Sequence, residues 1–135
     1  MQKQLAQVAT FQRAFGQNVE TQPALINKET AKLRYDLMKE ENEEYLEAVE
    51  NNDLVEVLDA LTDQLYILCG TILEHGMQNI IEKCFEEVNR SNMSKLDEVG
   101  LPIINGENGV FDPTRPLGKV LKSYNYSPPN IKQFL

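Results

Sequence analysis

Two groups of acidic side chains are spaced as if each group shared one face of a helix. Glu41 and Glu44 occupy positions in a stripe whose members are three and four residues apart, a spacing that places side chains on the same helix face. The other members of this stripe are Leu33, Leu37 and Ala48. Glu40 lies beside the stripe. Carboxylates at positions of an apolar stripe are unusual, so the pattern suggests that these side chains bind a ligand such as a metal ion.

The second group, Glu56, Asp59 and Asp63, also steps by three and four. At about 100° per residue these three side chains fall within roughly 60° of one another. Like charges at such spacings repel, whereas a hard cation such as Mg²⁺ or Mn²⁺ would join both groups into one oxygen-ligand site. A solvated acidic surface is the alternative, and spacing alone leaves both open. The same helical spacing places Glu43, Glu47 and Glu50 on the flank of the helix, where we expect them to be solvated.

Cationic and amide side chains bunch farther along the chain, in "EEVNRSNMSKLDE" from Glu86 to Glu98. Arg90, Asn92 and Lys95 stand where a helix is expected to end. Such side chains donate hydrogen bonds to phosphate oxygens. They also satisfy the last carbonyls of a helix, which is the alternative interpretation. His75, the only histidine, is interpreted as a helix-end residue.

The charge balance limits the classes of partner. With 13 basic and 21 acidic side chains the net charge is −8, which argues against a nucleic-acid backbone or an anionic membrane surface. A phosphorylated ligand would therefore need cations to mediate its binding. No apolar run approaches the roughly 20 residues of a membrane span, so we expect a cytoplasmic protein.

The elements that must position these residues are helices. Proline is absent between Pro23 and Pro102, and strong helix formers dominate that interval. Periodicity predicts an all-α bundle of about four helices, over residues 3–15, from "NKET" to "ENND", from Asp53 to His75, and over 79–92. Asn27 or Thr30 is expected to cap the second helix.

The third helix carries an apolar stripe that we expect to be buried against other helices. Its members are Leu58, Leu61, Leu65, Leu68 and Ile72. Residues 99–135 hold five of the six prolines and are predicted to be an irregular tail with a short hairpin around residues 101–111. We predict one domain, residues 1–135, with a helical core over 1–98.

Four segments together resemble a known family. "LRYDLMKEENEEYLEA", "DALTDQLYILCGT", "FEEVNRSNMSKLDEVGLPI" and "GKVLKSYNYSPPNI" are similar to MazG-like, all-α nucleoside triphosphate pyrophosphohydrolases, especially the short single-domain branch of bacteria and phages. The resemblance spans about residues 5–135. It implies a homodimer or homotetramer that holds about two or three Mg²⁺ ions per site, with Mn²⁺ as an alternative.

The reaction implied by this resemblance is hydrolysis of a nucleoside triphosphate, often a deoxynucleotide, between its α- and β-phosphates. The products are the monophosphate and pyrophosphate. The expected role is control of the nucleotide pool, with dUTP, dGTP or dATP as substrate, in the cytoplasm of a bacterium or of a phage's host. Two alternatives are hydrolysis of phosphoribosyl-ATP and a non-catalytic helical dimerisation or regulatory module.

The family's E-E-x-x-E motif matches Glu40, Glu41 and Glu44, which the resemblance assigns to the metal. Asp63 matches the acid that closes the second motif, E-x-x-D, but Ala60 stands where that motif has its glutamate. Either Asp59 supplies the missing ligand, or Glu56 and Asp59 form the pair and Asp63 is a further ligand.

The remaining predicted roles are those of general base, phosphate binding and selection of base and sugar, and some of them have more than one candidate residue. Glu40 or Glu41 is expected to be a metal ligand or the general base. Lys95 is expected to stabilise charge during the reaction. The predicted phosphate-binding residues are Arg90, Asn92, Lys95, Lys119 and Lys122. The residues predicted to select base and sugar are Gln12, Tyr66 and Tyr126, with Phe11, Phe15 and Tyr124 as further candidates.

Overall fold

The structure, a computed structural model, describes residues 1–135, and its regular secondary structure is helical apart from one isolated β-bridge. The helices are α1 (Gln2–Ala14), α2 (Lys28–Glu50), α3 (Leu54–Glu74), α4 (Ile81–Met93) and a terminal 3₁₀ helix (Ile131–Phe134). Four α-helices without a strand confirm the predicted fold class. The chain groups into two compact units, Met1–Ile81 and Glu82–Leu135.

Helices α2 and α3 form an antiparallel hairpin whose ends are set by side-chain caps. Asn27 accepts a hydrogen bond from the Thr30 N–H at 2.8 Å, so Asn27 and not Thr30 caps α2. Asp53 caps α3 by accepting from the N–H groups of Val55 and Glu56. Asn52 between them adopts φ 55°, a left-handed conformation that asparagine tolerates. The short connection therefore brings the two acidic groups onto neighbouring helices.

The core of the first unit lies between α1 and α3. Its buried members are Leu5, Val8, Ala9, Cys69, Ile72 and Leu73, with Val19, Met77 and Ile81 packed against them. His75 ends α3, as expected from the sequence; its carbonyl accepts from the Ala24 N–H, and its ring Nδ1 hydrogen-bonds to the Ala24 carbonyl. Gly76 follows with φ +66°, and an added Cβ would lie 2.1 Å from the Gln22 carbonyl oxygen, so this turn requires glycine.

The prediction of a buried leucine stripe on α3 is wrong for most of its length. Ile72 is buried, but Leu58 is 66 % exposed and Leu61 is 47 % exposed. Leu65 and Leu68 are exposed as well. Helix α3 buries its other faces against α1 and α2, and no further helix of the first unit covers this one.

The second unit contains nearly all of α4 and the segment that follows. The predicted hairpin around residues 101–111 does not form; instead Ile104 makes an isolated antiparallel bridge with Val120. The later part of the segment is hydrogen-bonded to Glu87 of α4 and to Ser94, which directly follows α4. Ser127 N–H donates to Ser94 Oγ, and the Asn130 N–H donates to the Glu87 carboxylate, both at 2.8 Å.

None of the helices combines the length and the apolar character that crossing a membrane requires.

Candidate functional site

Glu41 is the centre of the acidic face that α2 and α3 share. Its side chain is partly buried, and the Gln64 amide donates to its backbone carbonyl across the hairpin. Burial raises the pKa of the Glu41 carboxyl, and four neighbouring carboxylates raise that pKa further. These neighbours are Glu44, Asp63, Glu40 and Asp59. The hairpin therefore brings the predicted E-E-x-x-E residues and both aspartates of α3 into one electrostatic cluster.

The acidic cluster contains a buried carboxylate oxygen without a hydrogen-bond partner, which a bound cation would neutralise. The Glu41 Oε2 atom is buried and has no hydrogen-bond partner. An unpartnered buried carboxylate oxygen facing like charges is costly, and the oxygen donor set is the kind that Mg²⁺ and Mn²⁺ prefer. The residues present therefore fit such an ion chemically. In this arrangement no three acidic, histidine or cysteine side chains converge closely enough to hold a metal.

An acidic pocket extends this face towards the turn between α2 and α3. It has a volume of about 350 Å³ and is lined by Glu44, Glu47, Ala48, Asn51, Asp53 and Glu56. Glu44 therefore belongs both to the cluster around Glu41 and to this pocket. Of the second acidic group, Glu56 lines the pocket, whereas the carboxylates of Asp59 and Asp63 raise the pKa of Glu41. Glu47 was predicted to be a solvated flank residue, and sequence spacing gave no sign of its place in this pocket.

Aromatic side chains from α1 and α3 form a second feature of the first unit. The rings of Phe11 and Phe15 are 4.4 Å apart, and Tyr66 meets Phe11 edge-on at 5.7 Å. All three are exposed enough to be reached from solvent. Gln12 is fully buried instead; its Nε2 donates to the Gly70 carbonyl, and its Oε1 has no partner.

The predicted phosphate-binding residues lie in the second unit, where three of them already have hydrogen-bond partners. Arg90 donates to both Glu87 oxygens at 2.8 Å and to the Pro128 carbonyl. Asn92 accepts a hydrogen bond from Lys95 at 2.7 Å. Arg90 therefore has a structural role in this unit, and an anion would have to compete with its ion pair.

The other predicted cations of this unit share a pocket of about 480 Å³. Its lining residues are Lys95, Asp112, Arg115, Lys119, Val120, Leu121, Lys122 and Tyr126. Lys122 Nζ lies 4.3 Å from the centre of the Tyr126 ring, a cation–π contact. Sequence reasoning missed Arg115, although residues 113–126 carry three cations and no acid, which is the signal that could have found it.

Comparison with known proteins adds a family and one relative. Residues 8–92 match the PRA-PH family, described as phosphoribosyl-ATP pyrophosphohydrolase. An uncharacterized protein of Acanthamoeba polyphaga mimivirus, L479, is 45 % identical over 67 residues. That match covers 47 % of this chain and 27 % of the mimivirus protein, so the chain spans about a quarter of that relative's length. Because the family match covers more than half of the chain, this protein belongs to the PRA-PH family of MazG-like pyrophosphohydrolases.

Proposed function

We propose that the protein is a Mg²⁺-dependent nucleoside triphosphate pyrophosphohydrolase, which releases pyrophosphate and leaves the nucleoside monophosphate. Membership of a pyrophosphohydrolase family supports the reaction class. The observation that carries the proposal is Glu41, a partly buried carboxylate with an unpartnered oxygen among four other carboxylates. A surface that had only to be solvated would gain nothing from burying that oxygen.

The residues that would hold the metal are Glu40, Glu41, Glu44, Asp59 and Asp63, with Glu56 from the adjoining pocket. A bound ion would neutralise phosphate charge and make a bound water more acidic. Glu41, the partly buried carboxylate at the centre of the cluster, is one candidate for the proton acceptor. Glu40 is exposed and is the alternative.

Lys95, Lys119 and Lys122 are the proposed phosphate ligands of the second unit, since they line one pocket there. Arg90 and Asn92 are weaker proposals because neither lines this pocket, and Arg90 is also held in its ion pair with Glu87. Lys95 would supply positive charge as negative charge builds on the leaving pyrophosphate. These cations give an acidic protein a local means of holding an anion.

The proposed substrates are deoxynucleoside triphosphates such as dUTP, dGTP or dATP, in control of the nucleotide pool. The exposed rings of Phe11, Phe15 and Tyr66 offer a surface on which a base can stack. Tyr126 is the corresponding candidate in the second unit, although it already contacts Lys122. Gln12 would orient the base only if its buried amide turned outwards.

A second candidate substrate is phosphoribosyl-ATP, because the family description names it. It contains the same triphosphate, so the acidic cluster would do the same chemistry. A third possibility, a non-catalytic regulatory module, would use the acidic face to contact a basic partner.

We further propose a homodimer or homotetramer, in which a second copy covers the exposed apolar stripe of α3. The stripe presents large side chains at helical spacing, namely Leu54, Leu58, Leu61, Leu65 and Leu68. A contiguous apolar surface of this kind is typical of a protein–protein interface.

The test is an assay of the purified chain with Mg²⁺ against natural and modified deoxynucleotides and phosphoribosyl-ATP, with monophosphate and pyrophosphate as the measured products. We expect one deoxynucleotide to be the best substrate. Faster turnover of phosphoribosyl-ATP would favour the second candidate. No turnover of any compound, together with no change in melting temperature on adding Mg²⁺ or Mn²⁺, would refute both enzymatic candidates.

A further inference from the structure

The second unit differs in charge from the first. Residues 1–81 carry 6 basic and 14 acidic side chains, whereas residues 82–135 carry 7 of each. The whole net charge of −8 therefore belongs to the first unit. Within the neutral second unit, Lys95, Arg115, Lys119 and Lys122 line one pocket. Four cations against one carboxylate give this pocket a positive local charge, which favours an anion there.

The single carboxylate does not neutralise this pocket through an ion pair. Asp112 is occupied by Thr114, whose N–H and hydroxyl both donate to Asp112 Oδ1, at 2.8 Å and 2.6 Å. No salt bridge within 4 Å joins Asp112 to any of the four cations. Lys95 and Lys122 have an amide oxygen and an aromatic ring as partners, neither of which carries a full negative charge. After the hydrogen bonds from Thr114, the electrostatic attraction of Arg115 also helps to lower the pKa of Asp112, but four cations and one carboxylate leave the pocket with an excess of positive charge.

A buried asparagine shapes the loop that carries two of these cations. Asn105 is 1 % exposed, and its Nδ2 donates to the carbonyls of Asp112, Arg115 and Pro116 at 2.8–3.1 Å. Its Oδ1 accepts from the Asp112 N–H at 2.7 Å. The Asn105 backbone also bonds to Gly118 and Lys119. A fully buried amide that bonds only to this loop fixes the backbone on which Arg115 and Lys119 stand.

We propose that this pocket of the second unit binds a chain of two or three linked phosphates, with Arg115 as a ligand beside Lys95, Lys119 and Lys122. Linked phosphates suit it because they spread several negative oxygens over a distance that one small anion cannot cover. Arginine offers them paired, charge-assisted donors. The pocket is of the size usual for small ligands, about 300–1,000 Å³. The inference rests on the proposed function only for the natural source of the phosphates, a substrate triphosphate or product pyrophosphate.

The test measures binding of inorganic tripolyphosphate, and separately of inorganic pyrophosphate, to the full chain by calorimetry in EDTA, so that the acidic cluster cannot contribute through a metal. We expect Arg115→Ala to weaken tripolyphosphate binding about tenfold or more, because a charge-assisted donor is lost. Lys132→Ala is the charge-matched control, since Lys132 is exposed and does not line the pocket. Stronger binding of tripolyphosphate than of pyrophosphate would identify the substrate as the source, and the reverse would identify the product.

Absence of tripolyphosphate and pyrophosphate binding by the unaltered chain would overturn the inference, as would equal losses in Arg115→Ala and Lys132→Ala. Nucleotide hydrolysis tests the proposed function separately. If the chain hydrolyses nucleotides but Arg115→Ala binds phosphate chains normally, only the inference fails. If no nucleotide is hydrolysed but binding depends on Arg115, only the proposed function fails.

Discussion

Glu41 is the residue on which the functional argument depends most. Its position in an apolar stripe predicted that it would point inwards, and the structure places it partly buried beside carboxylates of both helices. Helical spacing predicts a shared face but not its burial, because Glu44 and Leu33 belong to the same stripe and both are exposed. The unpartnered Oε2 could not be predicted, since it depends on how closely α2 and α3 approach.

Glu41→Gln should stabilise the metal-free protein by about 0.5–1 kcal/mol, because the neutral amide no longer repels several carboxylates. The same change should remove most of the stabilisation by Mg²⁺, which for a site at 100 times its dissociation constant is about 2.7 kcal/mol. Melting temperatures in EDTA and in Mg²⁺ measure both effects. Glu43→Gln, whose carboxylate pairs with Lys39 at the exposed surface, is the control. A Mg²⁺ response equal in both variants would contradict the metal assignment.

The structural role of Asn105 could not be predicted from local sequence patterns, and the place of Arg115 in its pocket was missed. An asparagine in a Gly- and Pro-rich segment looks like an ordinary turn residue. Its burial and its four side-chain hydrogen bonds depend on contacts with residues 7–11 positions away, which no local pattern encodes.

At the scale of elements, the helix ends were predictable and the packing was not. Asn27 and Asp53 are strong N-cap residues directly before helix-forming runs, so α2 and α3 begin where composition indicates. The leucine stripe of α3 shows what periodicity cannot predict about packing. Periodicity predicts that a face is apolar, but it does not say whether this chain or another covers it.

Helices α2 and α3 approach closely at Gly70, which offers a test of their packing. Arg34 crosses from α2 and donates to Thr71 Oγ1 and the Ile67 carbonyl. A Cβ at position 70 would lie 2.5 Å from the Arg34 guanidinium. Gly70→Ala should displace the Arg34 guanidinium and lose its hydrogen bonds at a cost of about 1–3 kcal/mol, offset by about 0.5–1 kcal/mol that alanine gains in a helix. We expect a net destabilisation of about 0.5–2 kcal/mol, measured by urea unfolding. Thr62→Ala, on an exposed position of the same helix, should cost far less. Equal stability of Gly70→Ala and the unaltered protein would contradict this packing.

The attachment of the C-terminal segment to α4 should depend on pH. Hydrogen bonds from Arg90 and from the Asn130 N–H lower the pKa of Glu87 from 4.5 to about 2. A lowered carboxyl pKa stabilises the folded state fully above pH 4.5, and this contribution disappears as the pH falls towards about 2.

Glu87→Gln should accordingly melt at a lower temperature than the unaltered chain at pH 7. The difference between the two should shrink as the pH falls from 4.5 towards about 2, where the carboxyl becomes protonated. Glu86→Gln, one residue away on α4 and exposed, is the matched control. A difference that stays constant over this range would show that the ionised form of Glu87 is not what holds the segment.

At the scale of the whole molecule, family membership supports the proposed reaction class, and the exposed stripe of α3 predicts self-association. Burying apolar surface stabilises by about 25 cal/mol per Å². A lysine introduced at Leu61 would place a charge in that interface.

Leu61→Lys should shift the molecular mass measured by light scattering from an oligomer to a monomer. Thr62→Lys, which adds the same charge at an exposed position one residue away, should leave the oligomer intact. A monomeric mass for the unaltered protein would contradict the proposed assembly.

The acidic cluster around Glu41 and Glu44 is tested most directly by Mg²⁺-dependent release of pyrophosphate from the best deoxynucleoside triphosphate. We compare the unaltered chain with Glu44→Gln and with the surface control Glu43→Gln. We expect Glu44→Gln to lose activity at least about 100-fold with its helical circular dichroism unchanged, because a group that holds the catalytic ion is lost. Glu43→Gln should retain full activity. Turnover by Glu44→Gln at the rate of the unaltered chain would contradict the account.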